Sequence, residues 1–225
     1  MDRPDLDRGL HVAALAGLAR LNRWSRSSGL LWGPIRKLAR TNAGRRLRVL
    51  DVASGGGDVA LGLWRRAAAA GVELEVLGCD ISPTAVTHAG ALAERVTDRV
   101  RFEQRDVLAD PPRESFDVVT CSLFLHHLTA GDAVRLLRSL GGVASRLLLI
   151  NDLVRSRPGK LMADVACRVL SRSPVVRVDG PRSVEGAFTI AEARRLAADA
   201  GLTGARVGSR WPCRFLLEWE PTRER

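Results

Sequence analysis

The stretch RVLDVASGGGDVA, Arg48 to Ala60, decides the fold. Val49, Leu50, Val52 and Ala53 fall within five residues and predict a strand buried on both faces, interrupted near its end by Asp51. Gly55, Gly56 and Gly57 follow, and then a helix-forming run, Asp58 to Ala70, closed by Gly71. A strand, a glycine turn and a helix N-terminus bring backbone N–H groups close to a ligand. A glycine triplet alone serves any tight strand-to-helix turn; the acid placed ahead of it narrows the reading.

The pattern repeats downstream. Residues 73–79 (ELEVLGC) predict a second strand ending at Asp80, and Ser82 with Pro83 opens a helix to about Val96. Val100 to Gln104 predicts a third strand ending at Asp106. Phe116 to Leu123 predicts a fourth, followed by Phe124-Leu125-His126-His127-Leu128 and a helix capped by Thr129 and Asp132. Leu147 to Ile150 predicts a fifth, ending at Asn151-Asp152. Thr189 and Glu192 form a second capping box, and two last strands, near 205–209 and 214–220, are close enough to pair antiparallel. Strand and helix alternate, as in a parallel sheet covered on both faces.

Two regions depart from that rhythm. Upstream, an amphipathic helix from Leu10 to Ser27 is expected to be broken by Gly29 and Gly33-Pro34, with a short helix over Ile35–Arg40. Between Val154 and Phe188, one helix carrying Leu161, Met162, Val165, Val169 and Leu170 is expected, then an irregular stretch, SPVVRVDGPRS, the whole lying over the carboxyl ends of the strands.

The 225 residues suffice for one large core. Cys79, Cys121, Cys167 and Cys213 stand far apart with no C-x-x-C pair, which fits reduced core thiols in a cytoplasmic protein rather than a metal site. No apolar run reaches a membrane span, and the acidic N-terminus resembles no signal peptide. The net charge of +10 is regional: residues 1–48 hold eleven Arg or Lys against three Asp. That segment is suited to an acidic partner, whether a membrane surface, a carrier protein or nucleic acid, or else to a solvated helix face.

Ligands of open α/β sheets bind beyond the carboxyl ends of the strands. Four acids collect there: Asp51, Asp80, Asp106 and Asp152. A carboxylate after the second strand can accept both hydroxyls of a ribose. Gly55, Gly57 and Ala60 also fit the dinucleotide pattern G-x-G-x-x-A. Asp51 argues against it, since a negative charge ahead of the loop opposes a pyrophosphate and favours an ammonium or sulfonium group.

In this order and spacing, VLDVASGGGD, LGCDIS, FEQRDV and FDVVTCSLFLHHL resemble the motifs of class I S-adenosylmethionine-dependent methyltransferases, over about residues 47–152. The resemblance implies a Rossmann-like seven-stranded α/β sheet of order 3-2-1-4-5-7-6, its last strand antiparallel, with helices on both faces and a helical lid. It places Asp51, Gly55 and Gly57 around the methionine part of the cofactor, and Asp80 on the ribose hydroxyls. Ile81 goes against the adenine, Asp106 and Val107 at its amino group and ring, and Ser122 in the pocket lining. Ala53 stands where the family usually has glycine, and Ser54, also expected at the cofactor, where it often has cysteine. Residues 1–44 are expected as an N-terminal helical lid segment and 45–225 as the methyltransferase domain, with a cap insertion at about 153–188.

The same order makes the fourth and fifth strands neighbours, so His126 and Asp152 converge near the transferred methyl. A protonated phenol attacks poorly; a His can take its proton while a carboxylate holds the imidazole in the right tautomer. Small-molecule O-methyltransferases of this class often place His and Asp there. His127 is expected behind them. LARLNRWS (18–25), DGPRSVEGAFT (179–189) and WPCRFLLEW (211–219) are similar to small bacterial methyltransferases associated with type III polyketide synthases. The expected activity is O-methylation of a phenolic or quinol small molecule of aromatic polyketide type, with S-adenosyl-L-methionine as cofactor and S-adenosyl-L-homocysteine as product. Carbon methylation of a quinone precursor and RNA methylation are the alternatives; an aromatic content of 4% leaves few stacking platforms for the latter. The expected location is cytoplasmic, peripheral to a membrane or carrier protein through the basic N-terminal segment.

Overall fold

The computed structural model describes residues 8–42, 44–171 and 173–222; the start of the expected lid segment, residues 1–7, lies outside them. In chain order the elements are α1 (Arg8–Trp24), α2 (Ser27–Arg40), β1 (Leu47–Val52), α3 (Asp58–Ala69), β2 (Leu74–Asp80), α4 (Pro83–Glu94), β3 (Val100–Gln104) and β4 (Phe116–Ser122). A 3-10 turn (Leu125–His127) leads to α5 (Ala130–Val143), β5 (Ala144–Leu153), α6 (Arg157–Leu170), α7 (Pro174–Gly186), α8 (Ile190–Asp199), β6 (Arg206–Arg210) and β7 (Arg214–Trp219).

Seven strands form one sheet of order β3-β2-β1-β4-β5-β7-β6. β1 to β5 run parallel, and β7 lies antiparallel between β5 and β6. This is the predicted Rossmann-like sheet. Because strand side chains alternate faces, each central strand feeds two cores. Leu50, Val119, Leu148 and Phe215 pack under α5 and α8, whereas Val49, Val118, Leu149 and Leu216 pack under α2 and α3. Successive residues Val49 and Leu50 are both buried for this reason.

Gly57 ends the glycine turn at φ +76, a left-handed conformation that disfavours a Cβ. A Cβ there would also lie 2.6 Å from the Phe102 ring and 2.9 Å from Ala89. Ala53 adopts φ +53, a left-handed conformation in a residue that carries a Cβ.

Two sequence expectations are corrected. The break in the N-terminal helices falls at Arg26 (φ +55), not at Gly29 or Gly33-Pro34, and α2 runs unbroken through Pro34. A proline inside a helix costs roughly 3 kcal/mol. Leu31 and Ile35, both fully buried on the sheet, return roughly 1.5–3 kcal/mol each, enough to hold the helix. The stretch SPVVRVDGPRS, expected to be irregular, belongs almost entirely to helix α7. Its Val176 and Val184 are buried, and Gly180 lies so close to the Cys167 thiol of α6 that any Cβ would collide with it.

α6 and α7 leave and rejoin the sheet at one point: Val154 bridges Phe188, and the Arg155 N–H donates to the Phe188 carbonyl at 3.1 Å. A small third core, Ala14, Cys167 and Val176, joins α1, α6 and α7 above the strand ends.

Candidate functional site

The carboxyl ends of the parallel strands and the α1–α6–α7 layer enclose a cavity of about 880 Å³. Asp51, Ser54 and Gly55 of the first strand and its loop line it, as do Asp80 and Ile81 after β2 and Asp106 and Val107 after β3. Ser122 and His126, from the end of β4 and the turn beyond it, complete the predicted set on the wall. Gly57 and Asp152 are not on the lining: Gly57 sits against Phe102, and Asp152 stands behind His126.

Asp80 ties the glycine loop to β2. Its Oδ2 accepts from the Gly55 N–H at 2.8 Å and its Oδ1 from the Ser82 N–H at 2.9 Å. Each oxygen keeps a second lone pair for a ligand hydroxyl. Asp106 Oδ1 accepts from the N–H groups of Leu108 and Ala109, at 3.0 and 3.3 Å, fixing the turn after β3. Ile81 is left exposed on the cavity rim. A Cβ on Gly55 would meet nothing within 4 Å, so the loop backbone is open at that point, while Leu15 of α1 covers Gly56.

Deeper in, Asp51 is 1% exposed, and its Oδ1 accepts from the Thr120 hydroxyl at 2.7 Å. Burial pushes its carboxyl up to about 7; the Thr120 hydrogen bond opposes this, and the negative charges of Asp58 and Asp80 add to it. Asp51 Oδ2 and the Ser122 hydroxyl are buried without a hydrogen-bond partner among the described residues. Both residues line the cavity.

Sequence reasoning missed two charges beside them. Asp58 opens α3, and burial raises its carboxyl against the opposing effects of Asn22, its own backbone N–H, Arg214 and Arg23. Arg214, 5% exposed at the start of β7, donates from Nη1 to the Ser27 hydroxyl at 2.7 Å. Burial lowers its guanidinium to about 10, opposed by Asp152 and Asp58. Arg214 was not legible locally, because β7 reaches the site only through its antiparallel pairing with β5. Leu153 faces Arg214 in that register.

The predicted His126–Asp152 pair is formed. His126 Nδ1 lies 2.7 Å from Asp152 Oδ1, and the His126 backbone N–H donates to Asp152 Oδ2 at 3.3 Å. Burial raises the Asp152 carboxyl, but the His126 imidazole and the N–H groups of Leu153 and His126 outweigh it and hold it below the usual carboxylate range. An ionised Asp152 fixes a proton on Nδ1 and leaves Nε2 as the basic nitrogen. The His127 ring packs against His126 with centroids 4.1 Å apart and the planes tilted by 38°. The wall therefore combines the imidazole of His126, the carboxylates of Asp51, Asp80 and Asp106, and an apolar side from α1 and α6. Among the described residues no cluster of His, Cys, Asp or Glu could hold a metal ion.

Residues 49–145 match the family model of a methyltransferase domain. The chain is 42% identical over 76 residues to a demethylmenaquinone methyltransferase of Deinococcus radiodurans, covering 33% of this chain and 30% of that protein. It is 45% identical over 74 residues to one from Thermus thermophilus, covering 32% of each. The matched part is thus about a third of the length of these curated relatives. Magnesium protoporphyrin IX methyltransferase from Synechocystis, solved with bound SAH, superposes with a TM-score of 0.61 at 20% identity, over 88% of this chain and 83% of that one. That likeness is one of fold.

Proposed function

We propose that this chain, whose residues 49–145 match the family model of a methyltransferase domain, is an S-adenosylmethionine-dependent methyltransferase acting on a phenolic or quinol oxygen of a small molecule. The observation that carries the reading is the His126–Asp152 pair, with His126 in the wall of the cavity that also holds Asp51, Asp80 and Asp106 and Asp152 directly behind it. Asp80 holds the ribose hydroxyls on its remaining lone pairs. Ile81 and Val107 flank the adenine, and Asp106 meets its amino group. Asp51, Ser122 and the glycine loop receive the methionine end, where Arg214 offers a buried cation for a carboxylate.

When bound, S-adenosylmethionine supplies a methyl group on a sulfonium centre, an electrophile that needs an aligned nucleophile rather than an acid. A phenol near its ordinary pKa of about 10 is a weak nucleophile at neutral pH. His126 Nε2 takes the phenolic proton, and Asp152 steadies the charged imidazole through Nδ1. Closure of the site by α1, α6 and α7, the lid of this reading, excludes water and orients the acceptor. The three segments similar to polyketide-associated enzymes point to an aromatic polyketide phenol, and the basic segment before β1 to an acidic partner.

A second reading, carbon methylation of a quinone precursor, is favoured by the two demethylmenaquinone methyltransferases and begins with the same deprotonation. Incubation with methyl-labelled S-adenosylmethionine and a panel of phenols, quinols and alkylresorcinols, followed by mass spectrometry and proton NMR, tests both. Label on oxygen, with every ring proton retained, is expected. Loss of a ring proton selects the carbon reading, and no transfer to any member of the panel overturns both.

A further inference from the structure

We infer that the outward face of α6, with the Trp24–Trp211 pair beside it, docks on an anionic membrane surface and gives the cavity access to acceptors held there. Docking stands independently of the methyl-transfer reading; only the nature of what is drawn in rests on it.

α6 has two apolar faces. Met162, Ala163, Ala166 and Cys167 line the cavity. Leu161, Val165 and Val169, four residues apart on the opposite side, are 68%, 54% and 76% exposed. Aliphatic side chains in one row at that exposure are costly in water and mark a contact surface. They border a groove of about 460 Å³, closed on the far side by Trp24 of α1. Trp24 is 40% and Trp211 63% exposed, with ring centroids 5.3 Å apart. Paired exposed indoles suit the headgroup level of a bilayer, where one edge is apolar and the other wet.

The charge beside this face is mainly basic: on α6 Asp164 is paired with Arg168 and Glu185 of α7 with Lys160, which leaves the exposed arginines of α1 in excess. Residues 8–40 contain no Asp or Glu, and Arg20, Arg23 and Arg26, on α1 and just after it, are exposed. Arg20 Nε donates to the Leu170 carbonyl at 2.8 Å and so fastens basic α1 to the end of α6. Charge complementarity alone would serve an acidic carrier protein equally well. Three protruding aliphatics and two indoles flanked by arginines favour a hydrocarbon phase behind an anionic surface. Trp24, Met162 and Ala166 line both the groove and the cavity. An apolar path therefore runs from the docking face to the site, and it fits an acceptor with an alkyl tail.

The test is co-sedimentation of the full chain with vesicles of phosphatidylcholine alone and of equal parts phosphatidylcholine and phosphatidylglycerol, in low and in high salt. The comparison variant, Leu161→Ser/Val165→Ser/Val169→Ser, changes neither the charge nor the cavity wall. The parent is expected to bind the anionic vesicles, to retain part of that binding in high salt, and to exceed the variant by at least about tenfold. Equal binding by parent and variant would mean that charge alone attracts the protein, and would overturn the proposal. So would failure of the parent to bind, or a parent dimer in sedimentation velocity that the variant abolishes, since α6 would then face a second copy. If the triple variant loses cooperative melting, Trp211→Ala carries the same comparison. Methyl transfer to a soluble phenol is expected to survive in either variant, so docking and chemistry fail separately.

Discussion

Replacing Asp51 with Asn should make the ligand-free protein more stable, by an amount that grows with pH. Asp51 is 1% exposed and has one neutral hydrogen bond, from Thr120, for a carboxylate that takes several. Its carboxyl therefore rises from 3.8 to about 7 in the folded state. A raised folded pKa means that the native state holds a proton which the unfolded chain releases. The associated stability is complete below about pH 3.8 and is lost at about 1.4 kcal/mol per pH unit until about pH 7. Between about pH 5 and about pH 8 the loss is roughly 2.5 kcal/mol, and Asn, which does not titrate, escapes it. For a chain of this size the melting-temperature gap between Asp51→Asn and the parent should widen by roughly 5–10 °C across that interval. Scanning calorimetry at a series of pH values measures it, and the difference between the two proteins cancels the titration of other groups. A gap that stays constant would mean that Asp51 is ionised throughout, and would refute the claim that burial dominates its carboxyl. The complementary expectation is that a cationic ligand binds more tightly as pH rises through 7, because Asp51 is then charged to receive it.

His126→Gln should lower turnover by about 10²–10⁴-fold, the usual worth of a general base, while calorimetric affinity for S-adenosylhomocysteine stays within about twofold. Equal turnover would remove His126 as the base. Gly57→Ala should cost roughly 2–5 kcal/mol in denaturant unfolding, from its positive φ and the Phe102 and Ala89 contacts together. A cost below about 1 kcal/mol would mean that the glycine turn relaxes freely. Glu192→Ala removes the carboxylate that accepts from the Thr189 N–H at 2.8 Å and should cost about 1 kcal/mol, read by the same unfolding titration.

What could be read in advance was what is written locally. β1, its glycine turn and α3 announce themselves within thirteen residues, and the Thr189–Glu192 capping box forms as its spacing predicts. The His126–Asp152 pair was legible because the expected strand order made β4 and β5 neighbours. Elements whose form depends on distant packing were not. Gly33-Pro34 reads as a break until Leu31 and Ile35 are seen buried on the sheet. Gly180 and Pro181 hide α7, although Gly180 is what lets α7 approach Cys167. Asp58 reads as the acid that opens a helix, and nothing around Arg214 in the sequence marks it as buried. Only the return of β7 along β5 brings Arg214 into the cavity wall beside Asp58.

Binding of the cofactor product tests the central claim most directly. A crystal structure of the protein with S-adenosylhomocysteine should place the ribose hydroxyls on Asp80, the adenine between Ile81 and Val107, and the sulfur on the side of the cavity where Asp51 and His126 stand. Density for the ligand anywhere else, or an empty cavity at saturating concentration, would contradict it.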